Sequence, residues 1–487
     1  MKKNCTYNLK VFLLLFVISI IFQDGNAQVG INTTSPHASS ILDMSSTTQG
    51  MLAPRMTTAE KLAITSPANG LLVYDTDLKQ YSYYDLIATT WVAIQSGRSK
   101  FKRIKSTDVL ANILATELAA GGGSKYLLDS QTLYEINGTI LVDFPIEINN
   151  AYIIGLDSSD DKLVRASGDL FVGTTGGSMR VLTLVASSGN VFNINGGGTQ
   201  SLIFRDAIIA NSANVGVIDN FALVFTSIIQ YTGNANGIIY RDISKLLLNN
   251  QGWIGNNAGI YEKFEGTFNT LQKQGGFTEL YGASIGLDVS SNPTISIDAT
   301  IDSVDFTGTP TTGFFVKKYT VGSYAGFNFN NKWDVNCSGI PVEGDRVAVG
   351  DINFDYPVGS GALTTLSGTP VKLSGATTSN NLYRSSRGGT DNRMQYLGNK
   401  KRFFRISGSA SFQATATSTI YVFYIAKNGT VLNQSKVYVN SSSTTDILAV
   451  PLQTIVELSP NDYIEVFAQR FSGSGNILTV SLNLIAD

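Results

Sequence analysis

The chain has 487 residues, enough for two to four domains at roughly 100 to 200 residues each. Charged residues make up 15%, and Lys+Arg 35 against Asp+Glu 37 leaves a formal net charge of −2, which excludes a basic nucleic-acid binder. Gly 47, hydrophobic 43% and aromatic 10% exclude a disordered chain, and with abundant Ser, Thr and Asn they predict a mostly β protein with many turns.

Residues 1–27 read as a secretory signal: Lys2, Lys3 and Lys10 flank an apolar run from Val11 to Phe22, and Gly25-Asn26-Ala27 supplies small residues for cleavage. The run is shorter than the roughly 20 residues that span a bilayer, so a retained anchor is the lesser alternative. The mature protein is expected outside the cell or on its outer surface, mildly acidic and without a membrane span. Cys5 leaves with the signal, and Cys337 remains as a lone, small, buried hydrophobe that makes no intrachain disulfide.

Residues 28–97 hold short strand candidates between turn signals, including Val29-Gly30-Ile31, Ile41-Leu42-Asp43-Met44 and Trp91-Val92-Ala93-Ile94. Leu52-Ala53-Pro54-Arg55-Met56-Thr57, followed by Gly70-Leu71-Leu72-Val73-Tyr74-Asp75, resembles an N-terminal module of exported proteins from Bacteroidetes-type bacteria, which often precedes surface or fibre-like domains. The resemblance implies an extracellular setting and no catalysis. Residues 98–124 form a linker with one short helix, N-capped by Ser106, striped by Val109, Leu110, Ile113, Leu114 and Leu118, and ended by Gly121 to Gly123. One stripe of this length favours packing on a neighbouring sheet over a trimeric stalk.

Between residues 125 and 308, apolar stretches of three to five residues such as Val181 to Val185, Phe221 to Phe225 and Leu246 to Leu248 alternate with Gly and Asn. That spacing suits a right-handed β-helix shaft with Asn and Gly at the corners; a sandwich or barrel remains the alternative. The near-repeat of Leu202 to Ala207 against Ile238 to Ile243 is a single pair and sets no period.

Residues 309–353 read as a connecting β region, and 354–487 as a sandwich. Leu478, Val480, Leu482 and Leu484 alternate with polar neighbours. Tyr421 to Ala426 is apolar on both faces and runs into an Asn428-Gly429 hairpin turn, so its outer face calls for a sister subunit. Lys401 to Ser409, Tyr421 to Gly429 and Leu458 to Val466 resemble the C1q and tumour-necrosis-factor jelly roll found at the ends of phage and bacterial fibres. The resemblance implies a homotrimer, with Asn461 standing where that family has Gly and tolerating the same left-handed turn. With the shaft upstream, the chain also resembles phage tail-fibre and tailspike assemblies.

Chemistry is sparse. His37 is the single histidine and reads as an exposed turn residue, which leaves little room for zinc or a Ser-His nucleophile. Gly282-Ala283-Ser284-Ile285-Gly286 matches a nucleophile elbow, but a strand and turn follow it rather than a helix. Asp351, Asn353 and Asp355 have calcium-loop spacing, yet Tyr356 stands where the loop needs Gly and Ala362 where it needs Glu. Gly196-Gly197-Gly198 lacks the Lys-Ser or Lys-Thr of a phosphate cradle. No metal or cofactor is expected. The rival to a structural role is a polysaccharide depolymerase with Asp298 and Asp302 as paired acids, and with Asp157, Asp160 and Asp161 as a second cluster. Trp253 with Tyr261, or Tyr81, Tyr83 and Tyr84 near Trp91, are candidate sugar-stacking platforms, with core packing the commoner fate of such rings. The resulting expectation is a mostly β homotrimer: a short N-terminal β module, one connecting helix, a right-handed β-helix-like shaft and a C-terminal jelly-roll sandwich. It would be a cell-surface fibre or adhesin-like structural protein recognising glycans or a cell, with a depolymerase and a domesticated phage tail-fibre component as alternatives.

Overall fold

The computed structural model describes residues 9–16, 28–94 and 100–487. Residues 9–16 are helical; the expected cleavage site at Ala27 lies outside the described residues. Among the described residues no helix is long and apolar enough to cross a membrane. Two compact units divide the chain at Ser99 and Lys100.

In the first unit, strands Val29–Ile31 and Leu42–Met44 pair in parallel. A four-stranded sheet follows in the order Arg55–Met56, Leu72–Asp75, Gln80–Asp85, Thr90–Ala93. The helix Thr58–Leu62 starts on a capping box in which Thr57 and Glu60 satisfy each other's backbone N–H groups. Its Lys61 reaches the fully buried Asp75 at 2.6 Å. Burial opposes the charge on Asp75, but the Leu78 N–H, Lys61 and the Thr58 hydroxyl outweigh it and hold the carboxyl at about 2.

The second unit opens with a parallel β-solenoid. A 13-stranded and a nine-stranded sheet both run in coil order, and every pairing within them is parallel. Inward residues stack in columns: Leu202 pairs with Val224, Leu246, Leu271, Ala299 and Trp333 in successive coils, and each is buried. The shaft begins at Phe101–Lys105, which pairs with Leu133–Asn137, and its last strand is Trp333–Ser338. Solenoid strands thus extend into the segments expected as linker, through Phe101–Lys105, and as connecting region, through Phe314–Lys317 and Trp333–Ser338. The near-repeat resolves physically, because Leu202 to Ala207 lies in the larger sheet and Ile238–Arg241 in the smaller.

The long strands of the larger sheet bend. Pairing skips Asp206, Ile228 and Asn250, whose φ values are 53°, 56° and 46°, and the column continues through Val181 at 55°, Gly275 at 64° and Ser303 at 57°. These left-handed residues turn each strand so that one sheet covers two sides of the shaft. The expected single helix is two, Leu110–Ile113 and Ala115–Ala120, and they pack into the shaft core through Leu110 and Leu114. Ser106 is not the cap: its N–H bonds Asn137 as a continuation of the sheet, and Val109 precedes the helix without a side-chain bond.

The C-terminal part is a two-sheet antiparallel jelly roll. One sheet orders Val349–Asp355, Ile477–Ala486, Arg402–Ala414 and Ile447–Leu458; the other orders Met394–Tyr396, Tyr463–Ser472, Thr419–Lys427 and Val437–Ser441. Successive strands cross between the sheets around a core that includes Phe354, Phe404, Phe412, Phe423 and Leu482. Asn428 and Gly429 both have positive φ, as the two-residue hairpin turn requires.

One expectation fails here. The outer face of Thr419–Lys427 is not bare: Val422 is 1%, Tyr424 5% and Ala426 0% exposed within a single chain. Cross-strand neighbours provide the cover. Val422 lies between Tyr438 and Gln469, and Tyr424 lies beside Phe467, donates to Gln469 at 2.8 Å and sits under Lys436. Ala426 pairs with Glu465, which Arg393 and Lys372 neutralise at 2.9 and 3.3 Å. This strand needs no sister subunit to shelter it.

Candidate interaction surface

The structure removes most of the candidate chemical sites. Trp253 and Tyr261 are fully buried and stack on each other at 4.5 Å inside the shaft, so they offer no sugar platform. Along Gln80–Asp85 side chains alternate faces, which sends Tyr81 and Tyr83 to one side and Tyr84 to the other. Tyr84 meets Trp91 edge to face at 5.5 Å, so these four rings form no common flat surface. Asp298 and Asp302 share a face of one strand four residues apart. At roughly 3.3 Å per residue this separates them by about 13 Å, beyond the roughly 5 to 10 Å over which two carboxylates cooperate in glycoside hydrolysis. Ser303 and Asn336 bond Asp302 and keep it below the usual carboxylate range, which suits a hydrogen-bond acceptor rather than an acid.

The second acidic cluster is a turn clamp. Burial raises Asp161, but the N–H groups of Gly138, Asp157 and Leu156 together pull it lower. Ser284 lies in a turn before the strand Ile285–Asp288, so no elbow forms. Asp351 accepts from the Asn380 and Asn381 N–H groups and from the Asn353 side chain, and among the described residues no acidic, His or Cys cluster fits a metal. His37 is exposed and bonded to Ser39, and Cys337 is buried.

Inside the shaft is a polar island that the sequence did not reveal. Lys273 and Glu262 face each other at 3.0 Å with both side chains essentially inaccessible. The Tyr261 hydroxyl donates to Gln251, Gln251 donates to Thr226, and the Lys273 ammonium sits 5.0 Å from the Tyr261 ring centroid. Burial pushes Glu262 above its ordinary value, with Lys273 pulling against that.

Two exposed features stand out. The first is the N-terminal module, where Val29, Ile31, Leu42 and Met44, four residues of its parallel pair, are exposed together with Ile41, Leu52 and Ile87. Among the described residues of this unit only Ala53 and Val73 are buried apolar side chains. Each large side chain left in water forgoes roughly 1.5 to 3 kcal/mol, so this surface calls for cover.

The second is the shaft's bend. Before it, one outward row carries Ser178, Ile203, Phe225, Leu247, Gln272 and Thr300, and the outward row beside the bend carries Arg180, Arg205, Ser227, Asn249, Gln274 and Asp302. After it, Ile208, Gln230, Gly252, Phe277 and Asp305 form a further row. A groove of about 600 Å³ follows the bend, lined by Val181, Asp206, Ile228, Gln230, Asn250 and Phe277 among others. Ile228 is 56% and Phe277 40% exposed. The β-branched Val181 and Ile228 occupy left-handed backbone, at a cost on the order of 1 to 3 kcal/mol each. On the nine-stranded face, Asp219, Arg241 and Glu265 stand in one outward row, with Lys263 paired to Glu265.

No curated protein matches the chain. The PRD1 vertex protein P5 aligns at 12% identity and a TM-score of 0.22, covering 28% of this chain and 94% of that one. The enzymatically active domain of bacteriophage CBA120 tailspike protein 4 aligns at 10% identity and a TM-score of 0.26, covering 90% of this chain and 77% of that one. Residues 30–109 match the family model described as a phage tail like trimerisation region.

Proposed function

We propose that this chain is a trimeric, tail-fibre-like structural protein. The observation that carries the reading is the match of residues 30–109 to a phage tail like trimerisation region, over strands whose apolar side chains stand in water in a single chain. Three copies would cover Val29, Ile31, Leu42 and Met44 against one another. The parallel solenoid and the jelly roll of the second unit continue the chain beyond it, and a long parallel shaft suits a structural role. In solution the full chain is expected at three times its chain mass by light scattering, and Ile31→Asp combined with Leu42→Asp is expected to shift it toward a monomer. A wild-type monomer at micromolar concentration overturns the reading. The phage wording of the family description also supports origin as a phage tail component, whereas the signal-like N-terminus supports export to the cell surface.

The adhesive part of the proposal places recognition on the head. Tyr438 and Phe471 meet edge to face at 5.5 Å, with more than half of each side chain exposed on the outer sheet surface. Exposed aromatic carbon of this kind stacks on the apolar face of a pyranose. Three heads on one fibre would multiply a weak affinity through effective concentration. A glycan array is expected to yield ligands for the wild-type trimer that Tyr438→Ala with Phe471→Ala no longer binds. Unchanged binding by that variant, or no ligand at all, argues against glycan recognition by this pair.

A further inference from the structure

We infer that the head's exposed aromatic pair takes a saccharide that carries a carboxylate, with the Lys436 ammonium as its counter-ion. This rests on the glycan reading above and names the chemical class for that same site. Lys436, Tyr438 and Asn440 are exposed and alternate with Val437 and Val439, whose side chains pack on the jelly-roll core, so the three share the face turned to solvent. The ammonium stands 5.7 Å from the Tyr438 ring centroid and 5.8 Å from that of Tyr424. Two anchors hold it there. The buried Ser435 hydroxyl donates to the Leu432 carbonyl at 2.7 Å and accepts from the Ile425 N–H at 2.8 Å, which fixes the turn that presents Lys436. Tyr424 is buried and its hydroxyl donates to Gln469 at 2.8 Å, so its ring gives the lysine stem a fixed base.

Charge selects the ligand. Among the described residues Lys436 has no carboxylate partner. Glu465, which pairs with Ala426 on the same sheet, is buried and already held by Arg393 at 2.9 Å and Lys372 at 3.3 Å. The site therefore sets an uncompensated positive charge beside exposed aromatic carbon. A pyranose bearing a carboxylate is the complement, because its C–H face is apolar and its anion lies on the ring's edge. Asn440, on the other side of Tyr438 from Lys436, supplies an amide that bonds sugar hydroxyls as donor and acceptor. A neutral sugar would use the rings alone, and an anion without a ring would gain only an exposed ion pair, which is worth little.

The test presents the full chain to a glycan array in which each acidic saccharide is paired with its methyl ester, with polyglutamate as a carboxylate polymer that has no sugar. Binding is expected for acidic saccharides, is expected to be lost for their esters and for polyglutamate, and should weaken as salt is added. Lys436→Ala is expected to weaken it about three- to tenfold and Lys436→Glu to abolish it, whereas Lys436→Arg retains it. These side chains are exposed, so each variant should keep the wild-type melting temperature and mass in solution. Neutral ligands, or acidic ligands indifferent to Lys436→Glu, overturn the carboxylate class. If those ligands are still lost on Tyr438→Ala with Phe471→Ala, the glycan reading stands without it. Equal binding of polyglutamate reduces the site to a bare anion contact and also overturns the class. No ligand of any kind defeats both readings.

Discussion

Replacing Lys273 with methionine is expected to lower the unfolding free energy by about 3 to 5 kcal/mol, the range typical when one member of a buried ion pair is removed. Among the described residues Lys273 is the cation paired with Glu262, whose Oε1 accepts from the ammonium at 3.0 Å. In the variant Glu262 must either stay charged in an apolar coil or take a proton. Burial already raises its pKa, and losing the ammonium raises it further. A carboxyl raised in the folded state keeps its contribution below the unfolded value and loses it as pH rises through the folded one. The deficit should therefore be smallest in acid and grow toward neutral pH. The double variant Lys273→Met with Glu262→Leu should recover most of the loss, because it removes both desolvated charges. Denaturant titrations of wild type, single and double variants across pH check this. A single-variant loss below about 1 kcal/mol, or one independent of pH, would show that the pair is hydrated rather than sealed.

That island also marks the boundary of what the sequence could reveal. The parallel shaft was legible because short aliphatic runs recur between Gly and Asn corners, and the sandwich because Leu478, Val480, Leu482 and Leu484 keep period two. Both patterns are local. The polar island is assembled by Thr226, Gln251, Glu262 and Lys273, which lie on four different strands, so it exists only once the coil register is known. The same limit explains Thr419–Lys427. Its double apolar face calls for a second cover, which a sister subunit could give, but Tyr438, Gln469 and Phe467 arrive from neighbouring strands, in a register that only the folded sheet defines. Trp253 is in the core, the commoner fate of a large aromatic, and which face it takes is fixed only by the pleat, since it reads alike on either face of a strand among polar neighbours. The distance between Asp298 and Asp302, by contrast, was readable in advance: four residues of strand separate carboxylates too widely for paired catalysis. Along the bend, Asp206, Asn250 and Gly275 are ordinary turn residues, while Val181 and Ile228 give no local signal for left-handed backbone.

Arg384→Met is expected to uncouple the head from the shaft at a cost of about 3 to 5 kcal/mol to the junction, since it leaves the largely buried Asp345 carboxylate without its cation and the Trp333 carbonyl without the guanidinium donor. Arg384 is buried in left-handed backbone with φ 52°. Its Nη1 donates to Asp345 at 2.6 Å, its Nη2 to the Trp333 carbonyl and its Nε to the Tyr383 hydroxyl at 3.2 Å. Trp333 starts the last solenoid strand, and Tyr383 belongs to a strand paired with the first strand of the jelly roll, so one planar fork ties the two folds together. Burial alone would lower the arginine pKa, but Tyr383 and Asp345 outweigh it and raise it, so the fork stays charged. Asp345 extends the link by accepting from the Asn399 and Lys400 N–H groups, and Tyr383 is itself stacked on Phe327 at 3.8 Å. Lysine cannot replace this geometry, because a single ammonium does not present the planar set of donors that reaches carboxylate, carbonyl and phenol together. Calorimetry of the wild-type chain should show shaft and head unfolding together. Both Arg384→Met and Arg384→Lys should split off an earlier transition, assigned to the head by hydrogen exchange over 349–486. If the two parts melt separately in the wild type, or together in both variants, the junction does not depend on this arginine. Under the trimer proposed above, such a weld would set the directions of the three heads, whereas a loose junction would give up part of any gain from multivalency to orientational freedom.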